Sequence, residues 1–289
     1  MIMDLTPAFL LHKIPVGLWV KSAVEFLTDN FDQQFRLFSD GLEWLILGTI
    51  DLLNMVPPLV VVGAIMLLWY VLHRNIKGAV GLGLALLLIL NLGYWQETME
   101  TVALVLFATL FSVAVGVPIG ILAARKSWFF VFLRPVLDLM QTIPTFVYLI
   151  PTLMLFGLGM VPGLISTVVF AVPAPIRLTY LGITGVPREL VEAGKSFGAS
   201  PLQLLYKVEL PHAMPTIMAG LTQCIMLSLS MVVIAALVGA DGLGKPVIRA
   251  LNTVNIAQGF EAGLAIVIVA IVLDRLLKQP GNRPSSQDR

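Results

Sequence analysis

The residue types that carry catalysis, metal binding or nucleotide binding are present, but their spacing does not bring them together. The glycine-rich segment 239–245 has the spacing of a phosphate-binding loop, yet Pro246 stands where a serine or threonine hydroxyl would hold magnesium. The single cysteine, Cys224, lies inside an apolar run and is expected to pack there. The histidines are far apart in the chain: His12, His73 and His212. We therefore predict no catalytic residue, no metal site and no cofactor, and we do not expect an enzyme.

A few polar and aromatic side chains within long apolar runs are candidates for lining a passage. Gln141, Phe146 and Tyr148 fall near Pro144 and Pro151, and proline disturbs a helix. Packing inside the protein is the alternative explanation for the same side chains. A role in a transport path is predicted for these three residues only.

The composition indicates what kind of molecule must position these residues. Of 289 residues, 58% are hydrophobic and 12% are charged, with 18 Lys and Arg against 17 Asp and Glu. A soluble domain normally carries about 25% charged residues, and a nucleic-acid-binding domain carries a basic excess. The sequence therefore predicts an all-α polytopic membrane protein in a lipid bilayer, with no nucleic-acid partner.

Six apolar runs are candidates for membrane spans, because a crossing helix needs about 20 mostly apolar residues. The run 139–176 is too long for one crossing and is expected to turn back at the Gly- and Pro-rich segment 157–163. The other runs are 55–72, 78–96, 101–124, 213–240 and a weaker one at 262–273. We predict about seven transmembrane helices.

Charge predicts the orientation, because Lys and Arg near spans stay preferentially in the cytoplasm. An external N-terminus and a cytoplasmic C-terminus place most basic residues inside. The stretch 20–54 has apolar residues near helical spacing, which predicts one or two amphipathic helices at the outer surface, or a helix packed on the spans. The predicted divisions of the chain are an external N-terminal segment 1–54, two accessory helices 55–97, a main transmembrane domain 98–277 and a cytoplasmic tail 278–289.

The cytoplasmic loop 185–212 has the features of two short helices set at an angle. Pro187 suits the first turn of a helix, and Gly198 is placed to end that helix in a left-handed conformation. Ser200 and Pro201 are a cap and a first residue that restart a helix, which Pro211 is expected to stop.

Apolar residues of this loop share one face. Leu190, Ala193 and Phe197 are separated by three and four residues, so they lie on one side of the first helix. An apolar stripe is unfavourable in water, so we expect another surface to cover it. The sequence leaves open whether the protein's own spans or a partner protein cover it.

The loop resembles a known motif. It contains Glu192, Ala193 and Gly194, then Gly198 after three intervening residues, then Val208 to Pro211 after nine more. This pattern is similar to the EAA motif of ABC importer permeases, with Gly194 in place of Ala and Val208 in place of Ile. This resemblance implies a coupling helix that is seated on a separate cytoplasmic ABC ATPase subunit. The implied coupling residues are Glu189, Glu192, Ala193, Gly194, Phe197, Gly198, Leu210 and Pro211.

The similarity extends over about residues 98–275, which resemble the permease subunits of glycine betaine, proline betaine and choline importers. It implies the fold of a type I ABC transmembrane domain, a second permease copy, and a periplasmic or extracellular substrate-binding protein, in the cell inner membrane. The alternatives are a permease for another small polar solute such as an amino acid, and an ion-coupled secondary transporter. No second copy of a span pair is found, which disfavours the secondary transporter.

Overall fold

The computed structural model describes residues 15–277, and every regular element in that range is helical. The helices are α1 Val16–Met55, α2 Pro58–His73, α3 Ile76–Asn91, α4 Trp95–Arg125, α5 Ser127–Thr142, α6 Thr145–Phe156, α7 Met160–Ala171, α8 Pro173–Thr184, α9 Arg188–Ser196, α10 Pro201–Leu204, α11 Leu210–Ala235, α12 Gly244–Asn252 and α13 Ile256–Leu277. The π turn Leu205–Glu209 joins α10 to α11. The predicted tail 278–289 and the first 14 residues of the predicted external segment lie outside the described range.

Helices α4, α8 and α11 form the centre of the bundle and approach closely through glycine. A methyl group on Gly120 of α4 would lie 2.7 Å from the carbonyl oxygen of Ile176 in α8. One on Gly182 of α8 would lie 3.0 Å from the Cβ of Ala213 in α11. Small residues at helix contacts are the usual way in which membrane helices pack, because close approach increases their van der Waals contact.

Two long-range contacts fix the directions of these helices. The Arg125 guanidinium at the end of α4 donates a hydrogen bond to the carbonyl of Pro201, before α11. Thr101, near the start of α4, accepts one from the backbone N–H of Leu243, after α11. Helices α4 and α11 are therefore antiparallel, and α9 lies at the end of the bundle where α4 finishes.

Two sharp bends separate neighbouring helices, and each falls before a proline. The axes of α1 and α2 meet at 91°, and those of α5 and α6 meet at 95°. Val56 and Ile143, which precede Pro57 and Pro144, both have extended backbone. The ring of a following proline disfavours the helical conformation, so each helix ends there. The bend at Ile143 falls inside the predicted run 139–176 and was not predicted.

The predicted turn of that run is confirmed. Gly157 and Gly159 have φ angles of 78° and 136°, which favour glycine, and they separate α6 from α7. Pro162 and Gly163 lie within α7 instead of in the turn. Thr152 and Ser166 join the two helices through a buried hydrogen bond of 2.7 Å.

The predicted count of seven spans is not confirmed. Four helices of the described chain are long and apolar enough to cross a bilayer, or up to six if each bent pair is one span. Helices α2 and α3 have only 16 residues each, which is about 24 Å at 1.5 Å per residue. The run 262–273, predicted to be weak, belongs to the 22-residue helix α13.

The amphipathic stretch predicted at 20–54 is one helical run, α1, with a single non-helical residue at Phe31. Leu42, Ile46 and Ile50 form its buried stripe. The ring of Phe35 packs edge-on against Phe156 at 5.3 Å. This half of α1 is therefore packed on the bundle, as the second of the two predicted alternatives requires.

Candidate functional site: the loop at the end of the bundle

Helix α9 begins and ends as the sequence predicts. Pro187 is the residue before the first helical position. After the helix, Gly198 has a φ angle of 76°, its N–H donates to the Lys195 carbonyl at 2.9 Å, and the Ala199 N–H donates to the Gly194 carbonyl at 3.1 Å. These paired bonds form a Schellman motif, which satisfies the last carbonyls of the helix. The predicted left-handed cap at Gly198 is confirmed.

The second helix begins with a capping box. The Ser200 hydroxyl accepts a hydrogen bond from the Gln203 N–H at 3.3 Å, and the Gln203 side chain accepts one from the Ser200 N–H at 2.8 Å. This reciprocal pair satisfies two N–H groups that have no helical partner. The predicted restart at Ser200 and Pro201 is confirmed.

The prediction that Pro211 stops this helix is wrong. The chain is helical from Pro201 to Val238, and Pro211 lies in the first turn of α11. Proline has no N–H to donate one turn back. The turn immediately before Pro211 is a π turn, in which the Leu210 N–H donates to the Leu205 carbonyl five residues back. This wider turn allows the chain to stay helical at the proline.

An ion pair ties the loop to the bundle. The Arg125 guanidinium at the end of α4 donates to the Glu209 carboxylate at 2.7 Å and to the Pro201 carbonyl at 3.2 Å. Glu209 is buried, and the Arg125 side chain is 33% exposed. One cation therefore holds both ends of the segment that connects α9 to α11.

Neither Arg125 nor Glu209 was among the predicted site residues. They are 84 positions apart, so no local spacing connects them. The sequence signals for this pair were a basic residue at the end of an apolar run and a single acid in the apolar segment 208–211.

Helix α9 rests on the segment behind it through its glycine side. A methyl group on Gly194 would lie 2.7 Å from Cδ1 of Leu204, which is buried, and 3.5 Å from Cγ2 of Val208. The absence of a side chain at Gly194 lets α9 lie close to the π turn. Gly194 thus shapes the loop from its inner side.

The loop also carries large apolar side chains that are exposed. Phe197 is 91% exposed, and Leu190, Leu202 and Tyr206 are 46%, 67% and 66% exposed. We call these four side chains the exposed apolar face. No residue of α9 is buried, so nothing within residues 15–277 covers this face.

Besides Gly194, the predicted coupling residues fall into two groups. Glu189, Glu192, Ala193, Phe197 and Gly198 lie exposed on α9 or at its cap. Leu210 is half-buried against the cluster of Ile183, Leu205 and Ala213, and Pro211 is exposed at the start of α11.

The residues predicted to line a passage lie at the bend between α5 and α6. The Tyr148 hydroxyl donates to the Met140 carbonyl at 2.6 Å and so ties the two helices together across the bend. Phe146 is 56% exposed, and Gln141 is half-buried. A passage role for these three residues stays a prediction.

The glycine-rich segment 239–245 forms the turn before α12 and the first two residues of α12. Gly239 and Gly242 have positive φ angles. The N–H of Leu243 is buried and donates to the Thr101 hydroxyl at 2.8 Å. This hydrogen bond holds the turn after α11 against α4.

Bent, apolar helices long enough to cross a bilayer are typical of an integral membrane protein. A family profile described as binding-protein-dependent transport system inner membrane component matches residues 116–278. This match covers more than half of the chain, and the chain belongs to that family.

Three curated permeases are similar over nearly the whole chain. The glycine betaine/proline betaine transport system permease protein ProW of Escherichia coli (strain K12) is 43% identical over 96% of this chain and 78% of that protein. The glycine betaine transport system permease protein OpuAB of Bacillus subtilis (strain 168) is 45% identical over 92% of this chain and 94% of its own length. The glycine betaine/carnitine transport permease protein GbuB of Listeria monocytogenes serotype 1/2a (strain 10403S) is 44% identical over 95% of this chain and 98% of that protein.

Solved structures show the same fold. The MetNI methionine ABC transporter in an inward-facing conformation matches with a TM-score of 0.56 and 23% identity, over 62% of this chain and 91% of that chain. An amino acid ABC transporter matches with a TM-score of 0.53 and 18% identity, over 63% of this chain and 90% of that chain. The predicted fold, an all-α type I ABC importer transmembrane domain, is confirmed.

Proposed function

We propose that this chain is the transmembrane permease subunit of an ATP-driven importer for quaternary-amine solutes such as glycine betaine, proline betaine or choline. The observation that carries the proposal is the 43–45% identity, over more than nine-tenths of this chain, to three permeases named for glycine betaine transport. The solved transporters of methionine and amino acids share the fold only, so they give no support to an amino-acid cargo.

The exposed apolar face supports a separate ATPase partner. Phe197 is a large aromatic side chain at the tip of a rigidly capped helix, and aromatic anchors of this kind contribute much of the binding energy of protein interfaces. Glu189 and Glu192 lie exposed on the same helix and surround the face with charge. ATP hydrolysis is assigned to that partner, and this chain transmits the movement.

The loop is suited to transmit movement because it is fixed to the bundle. Arg125 ties the π turn to α4, and the Schellman motif and the capping box leave little freedom between α9 and α10. A displacement of the ATPase would then move α4 and α11 as rigid bodies, which is how packed helices change between discrete states.

The orientation of the chain in the membrane follows from the same proposal. If α9 meets an ATPase, its end of the bundle is cytoplasmic, and the turn 239–245 is outside. Basic residues at the α9 end agree with this assignment, since Arg125, Lys126, Arg188 and Lys195 all lie there. We place the N-terminus outside and the C-terminus in the cytoplasm, with segments 1–54, 55–97, 98–277 and 278–289 as predicted.

The substrate-binding protein and a second permease copy complete the proposed importer. The binding protein is assigned to the outer end of the bundle, and the second copy makes a homodimer around the passage. Gln141, Phe146 and Tyr148 at the bend between α5 and α6 are the proposed lining of that passage.

Reconstitution tests the proposal. The chain is placed in proteoliposomes with the ATPase and the binding protein of the same organism, and uptake of radiolabelled glycine betaine, proline betaine and choline is measured with and without ATP. We expect uptake of at least one of these solutes only with ATP and binding protein. Uptake driven by a sodium or proton gradient without nucleotide would show a secondary transporter, and ATP-dependent uptake of amino acids alone would refute the cargo class.

A further inference from the structure

A groove runs between α3 and α13 at the end of the bundle where α9 lies. It has a cavity volume of about 310 Å³ and is lined by Lys77, Gly78, Gly81, Leu82, Ala85, Ile268, Ile271, Val272 and Arg275. The residues from each helix are three and four positions apart, so they form one stripe on α3 and one on α13. We call this cavity the α3–α13 groove.

The walls of the groove are apolar, and its mouth is basic. Leu82 and Val272 are buried beneath it, and Ile271 lies at its side. Lys77 begins α3 and Arg275 lies in the last turn of α13, so both cations stand at the same end of the cavity. Helix α13 starts after the outer turn and runs back along the antiparallel helices α4 and α11, which places that end level with α9.

Neither cation is neutralised within the described part of the chain. The five ion pairs that link residues 15–277 include neither Lys77 nor Arg275. Asp274, the residue before Arg275, also takes part in an interaction in the structure. Two cations without an ion-pair partner stand at the end of an apolar cavity. Such a site suits a ligand that has a negatively charged group and an apolar chain.

Gly81 keeps the groove open. A methyl group placed on Gly81 would meet no atom within 4 Å, whereas one on Gly78 would lie against Trp69 of α2. Small residues normally let two membrane helices meet, but here they leave a space between α3 and α13. That space is larger than a single water molecule needs, and apolar walls give water few hydrogen-bond partners.

We infer that the α3–α13 groove is a binding site for one anionic phospholipid, with its phosphate between Lys77 and Arg275 and an acyl chain along Gly81 and Ala85. Basic pockets between membrane helices bind anionic headgroups because the cations attract the phosphate and the helix walls accept the chain. The lipid would fill the cavity and join α3 to α13. The inference does not depend on which solute is transported.

Lipid binding by the full-length chain tests the inference. The protein is purified in the assembly that it forms and titrated with dioleoylphosphatidylglycerol or dioleoylphosphatidylcholine, and bound lipid is counted by native mass spectrometry. Each cation near an anionic surface contributes about 1 kcal/mol, or about fivefold in affinity. We expect Lys77→Gln with Arg275→Gln to weaken phosphatidylglycerol binding about 30-fold and to leave phosphatidylcholine binding unchanged.

Matched controls separate the groove from general charge. Lys126→Gln with Arg134→Gln removes two exposed cations outside the groove and should leave the titration unchanged. Gly81→Leu should reduce phosphatidylglycerol binding with both cations present, whereas Gly63→Leu, at another open helical glycine on α2, should not.

Three results would overturn the inference. The first is an equal loss of phosphatidylglycerol binding in the groove double variant and in the control double variant Lys126→Gln with Arg134→Gln. The second is full binding by Gly81→Leu together with displacement of the lipid by inorganic phosphate, which would show a site for a free anion. The third is a change in the number of chains per assembly caused by Gly81→Leu without any change in lipid binding, which would show that a second copy occupies the groove.

Discussion

Removing the Arg125 guanidinium tests how the loop is held. In Arg125→Met an unbranched apolar side chain remains, but the buried Glu209 carboxylate loses its cation and the Pro201 carbonyl loses its donor. Breaking one partner of a fully buried ion pair costs about 3–5 kcal/mol. Because the Arg125 side chain is 33% exposed and water reaches it, we expect a smaller cost of about 1–3 kcal/mol.

That cost should appear as lost coupling. A change of about 1–3 kcal/mol shifts the balance between the seated and the displaced loop by about 5- to 150-fold. In proteoliposomes we expect solute uptake per ATP hydrolysed to fall, while the ATPase continues to hydrolyse ATP. Limited proteolysis should cut the segment 196–209 faster in the variant, because the loop is less firmly held.

Two companion variants make the test specific. Lys126→Met removes the adjacent exposed cation, which takes part in no ion pair within residues 15–277, and should behave as wild type. Arg125→Met combined with Glu209→Leu removes the unpaired buried charge and should recover part of the coupling, since an apolar pair can replace a buried ion pair. Wild-type coupling and wild-type proteolysis in Arg125→Met alone would refute the role of this ion pair.

Further predictions concern positions where the backbone or packing is constrained. Gly198→Leu should cost about 1–2 kcal/mol through the left-handed conformation and lower ATPase copurification, whereas Gly198→Asn should be tolerated; equal copurification would contradict this. Gly120→Leu places side-chain atoms against the backbone of α8 and should lower the melting temperature in detergent sharply, while Gly63→Leu should not, and a similar melting temperature for both would argue against the close contact. Thr101→Val leaves the buried Leu243 N–H without its acceptor and should cost about 1–3 kcal/mol in unfolding measurements, with Thr101→Ser near wild type; equal loss in the two variants would exclude the hydrogen bond as the cause.

Local chemistry made some features of the loop predictable. The cap at Gly198 and the capping box at Ser200 depend on residues within five positions of each other, so the local sequence contains all the participants. The turn at Gly157 and Gly159 was predictable for the same reason, because glycine is the residue that accepts positive φ angles.

Other features depend on contacts that are distant in the sequence. The ion pair of Arg125 and Glu209 joins residues 84 positions apart. The sequence left open whether the apolar stripe of α9 was covered, because covering depends on how the whole bundle is arranged. The prediction for Pro211 was wrong because proline can end a helix or occupy its first turn, and only the preceding π turn distinguishes the two.

The span count shows a similar limit. Apolar runs identify segments that prefer lipid, but they do not show where a helix bends. Extended backbone at Val56 and Ile143 divides helices that hydrophobicity alone would join or misplace. The rule for residues before proline predicts such a break, and its angle depends on tertiary packing.

Site-specific photocrosslinking tests the central claim most directly. A photoreactive residue replaces Phe197 on the exposed apolar face, or Val254, which is 82% exposed beyond α12 at the other end of the bundle. The assembled transporter is irradiated and the crosslinked chains are identified by mass spectrometry. We expect the ATPase to be crosslinked from position 197 and not from position 254. No ATPase crosslink from position 197 in an assembly that hydrolyses ATP and transports solute would contradict the claim that this loop is the docking site.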